Sequence, residues 1–177
     1  ALLVVGRSFY DRPGDLAYLT NHFPPFPTTV FSEGNRGMGH AIFLLPVTGE
    51  PVLLTDARKH RPDLVVVDDV RAAGDLGAGL IDLLKEPSLE DGTIGLAGDD
   101  ILPAAIDRQL LQELPGLTLE PEPRIVAALR AIKTPGELDL LRRAALCADA
   151  ALMTANAMIR RGGVTEQGVG DELAPVP

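Results

Sequence analysis

Residues 126–138 read Val-Ala-Ala-Leu-Arg-Ala-Ile-Lys-Thr-Pro-Gly-Glu-Leu, and Leu141-Arg142-Arg143-Ala144-Ala145 follows shortly after. Thr134 can cap a helix with its hydroxyl, Pro135 takes the first helical position where no backbone donor is missed, and Glu137 stands where a capping box needs its carboxylate. Beyond them Leu138, Leu141, Ala145, Ala148, Leu152, Ala155 and Ile159 recur at alternating steps of three and four, which makes one apolar face. The spacing predicts a helix from Pro135 to Arg161, stopped by Gly162-Gly163, with Thr165 capping a second helix from Glu166. At 1.5 Å per residue the long helix spans roughly 40 Å, more than a small sandwich covers, so its far end is expected to need a further partner. A domain boundary is placed between Arg124 and Thr134.

Working back toward the start, Leu2 to Val5 is a short apolar run closed by Gly6, the pattern of a strand covered on both faces. Arg7 to Gly14 reads as a loop, and Asp15 is expected to cap a short turn or helix carrying Leu16, Tyr18 and Leu19. Pro24, Pro25 and Pro27, then the run Ser32 to His40 with glycines at 34, 37 and 39, predict a long irregular loop of the kind that often carries function. Ala41 to Leu45 and Pro51 to Leu54, joined by Val47-Thr48-Gly49-Glu50, predict a hairpin. Leu64 to Val67 reads as a further buried strand. A helix is expected from Leu76 to about Lys85, then a strand from Thr93 to Ala97. A helix opened by Leu102-Pro103 follows, with Ile106, Leu110, Leu111 and Leu114 as its stripe, and a last strand runs from Leu117 to Glu120. Strands alternating with helices, plus a hairpin, give an α/β fold with a mixed sheet.

Composition narrows the function. The chain has 177 residues, 46% of them hydrophobic and 23% charged, which suits a packed core and excludes a disordered tract. A net charge of −9 with a pI near 4.7 opposes attraction to phosphate backbones or anionic lipid, so no nucleic acid and no membrane is expected as a partner. The single cysteine, Cys147, rules out an internal disulfide or a multi-cysteine zinc site, and points to a reducing, cytoplasmic setting. The opening Ala1-Leu2-Leu3-Val4-Val5 has neither the basic flank nor the cleavage site of a signal peptide, and both ends of the chain are read as lying inside a longer protein.

The catalytic inventory is thin. A two-metal hydrolase needs several carboxylates and an imidazole converging on paired ions. His22, His40 and His60 fall in no HExxH or HxxxH pattern and read as loop or surface histidines; Asp68-Asp69 and Asp99-Asp100 read as turn formers after strands. The glycine-rich run 34–39 lacks the Lys-Ser/Thr of a phosphate loop, and no Gly-x-Ser-x-Gly elbow exists. A core without a complete catalytic set points to an accessory domain.

Residues 126–138 with 141–145 resemble the junction between the two domains of the pita-bread metallopeptidases, the family of Xaa-Pro aminopeptidases, prolidases (Xaa-Pro dipeptidases) and creatinase. Ile159 to Glu166 resembles the close of the first catalytic-domain helix of that family, with an added arginine and glycine. Leu16 to Thr20 resembles a segment of its N-terminal domain, although Asn21-His22 stand where a glycine is usual. The resemblance implies a creatinase/prolidase-type N-terminal domain over residues 1–123, a mixed-sheet three-layer sandwich of ribonuclease-H-like topology. It further implies a junction at 124–134 and the first long helix of a truncated pita-bread domain over 135–177. The family's five metal ligands lie downstream of that helix, so the resemblance implies no catalytic residue and no metal in this chain, and two divalent ions (Mn, Co or Zn) in the parent protein. The partners it implies are the chain's own C-terminal catalytic domain, a second copy in a homodimer, and short proline-containing peptides. Tyr18, Asn21, His22, Phe23, Arg36 and His40 are the candidates for a substrate-cleft surface, since hydrogen-bonding groups with one aromatic suit the carboxylate end of a peptide. A creatinase-like amidinohydrolase and a stand-alone binding or dimerisation module remain the alternatives at this point.

Overall fold

The structure, a computed structural model, describes residues 1–8, 12–26, 37–56, 60–86 and 88–173. It divides into two units, Ala1–Arg130 and Ala131–Pro177.

The first unit is built on β1 (Leu2–Arg7), whose apolar run pairs on both sides. It lies antiparallel to β2 (His40–Leu45) and parallel to β5 (Gly92–Ala97). The expected hairpin forms, with β2 antiparallel to β3 (Val52–Asp56). β4 (Asp69–Ala73) adds to β3 in parallel and β6 (Leu117–Pro121) to β5, giving one six-stranded mixed sheet in the order β4-β3-β2-β1-β5-β6. The meander β3-β2-β1 followed by parallel β5 and β6 is the ribonuclease-H-like arrangement.

Alternation along the central strands sorts their side chains to two faces. Leu3, Val5, Ile42, Leu44, Ile94 and Leu96 point to one, where α2 (Leu76–Lys85) and α3 (Ala104–Glu113) pack. Val4, Ala41, Phe43, Leu53 and Ala97 point to the other, where Leu16 of α1 (Gly14–Thr20) and Val126 of α4 (Ile125–Ala131) cover them. Helices on both faces of the sheet make the three layers. Both faces being dry explains why these strands read as continuous apolar runs.

Three local expectations are corrected. Leu64–Val67 is no strand: its backbone is engaged by the end of α1, with Val66 N–H donating to Thr20 O (3.1 Å) and Asn21 Nδ2 donating to Leu64 O (2.9 Å). The strand begins at Asp69, an edge strand needing few apolar residues. Asp15 does not cap α1; Pro13 precedes the helix and Asp15 sits in its first turn. Leu111 is exposed, because α3 turns only Ile106 and Leu110 inward, with Leu114 buried just beyond. α2 is capped by Asp75, whose Oδ1 accepts from Gly77 N–H (2.9 Å) and Ala78 N–H (3.1 Å).

The second unit holds α5 (Pro135–Arg161) and α6 (Glu166–Leu173). The capping box forms as the residues require: Glu137 N–H donates to Thr134 Oγ1 (3.2 Å) and Thr134 N–H to Glu137 Oε2 (2.7 Å). Gly162, with φ of 73°, ends α5, and Thr165 Oγ1 accepts from Gly168 N–H (3.1 Å) at the start of α6. Neither helix buries a residue, and Cys147 is exposed. No helix among the described residues is long and apolar enough to cross a membrane.

Candidate functional site

The strand order brings the carboxyl ends of β1 and β3 to the same edge of the sheet as the amino end of β2. Arg7 lies opposite His40 in the ladder, and Ala41 opposite Thr55, so Arg7, His40 and Asp56 collect there from three strands. Asp56 is buried and its Oδ2 accepts from Gly39 N–H (2.9 Å), while Ser8 N–H donates to Gly39 O (2.7 Å). These two bonds pin the turn that delivers His40 into β2.

His22 reaches the same edge from α1. The helix ends on Asn21, whose left-handed backbone (φ 53°) is a conformation asparagine tolerates, and its N–H returns to Ala17 O. Thr20 Oγ1 donates to Leu16 O (2.8 Å) and accepts from His22 N–H (3.1 Å), which turns the chain inward. His22 and His40 are therefore buried, contrary to the loop-or-surface reading. Burial drives the pKa of His22 from the usual 6.5 down to about 4; nearby His60 pushes the same way and Asp56 opposes them. His40 is also lowered, first by burial, with Met38 O holding it up through a contact of 3.3 Å to Nδ1. At neutral pH both imidazoles are uncharged.

Of the candidate cleft residues, His22 and His40 come to one edge. Tyr18 and Phe23 expose 41% and 52% of their surface, enough for either ring to meet a ligand, and Asn21 spends its side-chain amide on Leu64 O. Arg36 lies outside the described residues. Arg7, Ser8, Asp56 and His60 were not among the candidates; an ionisable residue two positions past the end of an apolar strand run was the available signal for Arg7 and Asp56. Ser8 Oγ and His22 Nε2 are buried without a hydrogen-bond partner among the described residues. A hollow of about 400 Å³ opens beside His40, lined by Arg7, Met38 and the segment Asp100-Ile101-Leu102-Pro103. No group of three His, Cys, Asp or Glu among the described residues is placed to hold a metal ion, so these residues do not fit a metal pair.

Several solved structures share this architecture. An Xaa-Pro dipeptidase from Bacillus anthracis matches 97% of this chain with 22% identity and a TM-score of 0.61, over 42% of its own length. An X-Pro aminopeptidase from Thermotoga maritima matches the same 97% with 17% identity and a TM-score of 0.66, over 45% of its length. The fold is that of the Xaa-Pro peptidases. A prolidase from Pyrococcus furiosus agrees, at 19% identity and a TM-score of 0.59, again with 97% of this chain against 46% of that one. The chain thus spans less than half the length of the Xaa-Pro peptidase structures it matches, and the resemblance first read at residues 126–138 holds for the fold. No family model and no curated protein matches the sequence.

Proposed function

We propose that this chain is the non-catalytic N-terminal domain of a metal-dependent Xaa-Pro peptidase together with the start of its catalytic domain, serving dimerisation and substrate access. The observation that carries the reading is the coverage: nearly all of this chain aligns with less than half of each peptidase. The junction-like sequence at 126–138 supports it, since it falls where α4 gives way to the capping box of α5. In this reading two divalent ions, Mn, Co or Zn, are held by side chains beyond Pro177. The edge bearing His22, His40 and Arg7, with Tyr18 and Phe23 exposed on and just after α1, narrows the approach of short proline-containing peptides. A homodimer in the cytoplasm is the expected assembly.

The test is an assay of the longer protein with manganese or cobalt on Xaa-Pro dipeptides and Xaa-Pro-Xaa tripeptides. Release of the residue ahead of proline is expected from the longer protein and not from the 177-residue chain. No release by the longer protein, or turnover by this chain alone, overturns the proposal.

A further inference from the structure

β1 and β5 are parallel neighbours, yet the chain leaves them toward opposite faces: β1 leads to α1 on one side and β5 to α3 on the other. Such a divergence opens a crevice at the carboxyl ends of the two strands, the place where open α/β sheets receive small ligands. Here the crevice is a hollow of about 440 Å³, within the range of small-molecule sites. Val5 and Gly98, at the ends of the two strands, are among the residues that line it. Gly98 has φ of +91°, and a Cβ there would stand 2.9 Å from Val5 O, so only glycine lets the two strand ends close together.

Four charged side chains line the walls. Arg12 is paired with Asp100, and Arg130 of α4 with Asp15 of α1. Each pair joins residues distant in sequence, 88 and 115 positions apart, so both depend on the assembled fold. Gly14 makes room for the second: a Cβ there would lie 2.8 Å from Arg130 Nη1. Three of the four side chains are at least 42% exposed, and ion pairs so open to water contribute little and re-partner easily.

We propose that this crevice binds a small zwitterion, an α-amino acid or short peptide whose carboxylate goes to the Arg12 guanidinium and whose ammonium goes to Asp100, the aspartate released from the more open pair. A molecule with both charges replaces each partner it displaces; a simple carboxylate leaves an aspartate facing it unpaired. Pro13, Ile101 and Ala127 supply the apolar wall for its side chain. The site does not depend on the peptidase reading.

The test is calorimetric titration of the whole 177-residue chain with L-alanine and, separately, L-alanyl-L-alanine. The two arms distinguish a free amino acid from a peptide. Saturable binding of at least one, with a Kd on the order of 1 mM or tighter, is expected. N-acetyl-L-alanine and L-alanine methyl ester, and the variants Arg12→Gln and Asp100→Asn, are each expected to weaken it at least ~10-fold, because each deletes a charge-assisted bond. Amide shifts of the unmodified chain give a second readout that no unfolded variant can confuse, with Gly14, Gly98 and Ile101 moving on titration. Absence of saturation by either probe up to ~20 mM, equal binding of acetate, or shifts confined to other regions overturns the proposal.

Discussion

Leu53, at the centre of β3, has no exposed surface, whereas Leu141, on the apolar stripe of α5, keeps 53% of its surface in solvent. The same side chain meets opposite conditions because the two units are held by different forces. In the sheet unit the strands are sealed on both faces, so burial of apolar surface dominates and the sequence shows unbroken apolar runs. In the helical unit the stripe is present but unburied, and order rests on backbone hydrogen bonds and on the caps at Thr134 and Thr165. Apolar periodicity reports which face a helix would bury; it does not report what covers that face.

The sharpest way to break this contrast is to put a carboxylate at each leucine. Leu53→Asp is expected to cost more than ~4 kcal/mol and leave the sheet unit unfolded, while Leu141→Asp in the 177-residue chain costs under about 0.5 kcal/mol, read from chemical denaturation. Equal losses at the two positions would mean that the apolar stripe of α5 is as fully buried in solution as the centre of β3.

A second contrast is electrostatic, since all three histidines lie in the sheet unit. His22 has a folded pKa of about 4 against an unfolded value of 6.5, so between those limits the unfolded chain binds the extra proton. Stability is full above pH 6.5 and falls as pH drops toward 4, by up to about 3 kcal/mol from this group. His22→Gln should flatten that part of the denaturation midpoint against pH. An unchanged slope would show that His22 is accessible to solvent in the folded chain.

The smallest effects come from glycines in the two units. Gly98→Ala forces a left-handed alanine against Val5 O and is expected to cost about 1–3 kcal/mol. Gly170→Ala, in α6 with nothing within 4 Å of the added methyl, is expected to raise helicity and stabilise by roughly 0.5–1 kcal/mol. Circular dichroism and thermal melts of the two variants separate the signs.

Helix α5 was legible to the residue at both ends because its signals are local: a hydroxyl, a proline and a carboxylate within four positions, and paired glycines at the close. The hairpin and the buried strands were legible for the same reason, through turn residues and apolar runs. Leu64–Val67 misled because four apolar residues in a row suit a strand equally well whether the chain joins a sheet or crosses the end of a helix. Asp69–Ala73 was passed over because an edge strand needs no apolar run.

The candidate site was only half readable. The run from Pro24 to His40 stood out as unusual, with Arg36 and His40 as its candidates and His22 just ahead of it. Their burial, the placing of Asp56 beneath Gly39, and the pairing of Arg7 with His40 were not accessible from spacing. Local chemistry settled where helices begin and end, since a cap acts over three or four residues. Only the assembled sheet settled which ionisable groups share an edge, because strand order joins residues dozens of positions apart, and that order follows from which apolar faces find cover.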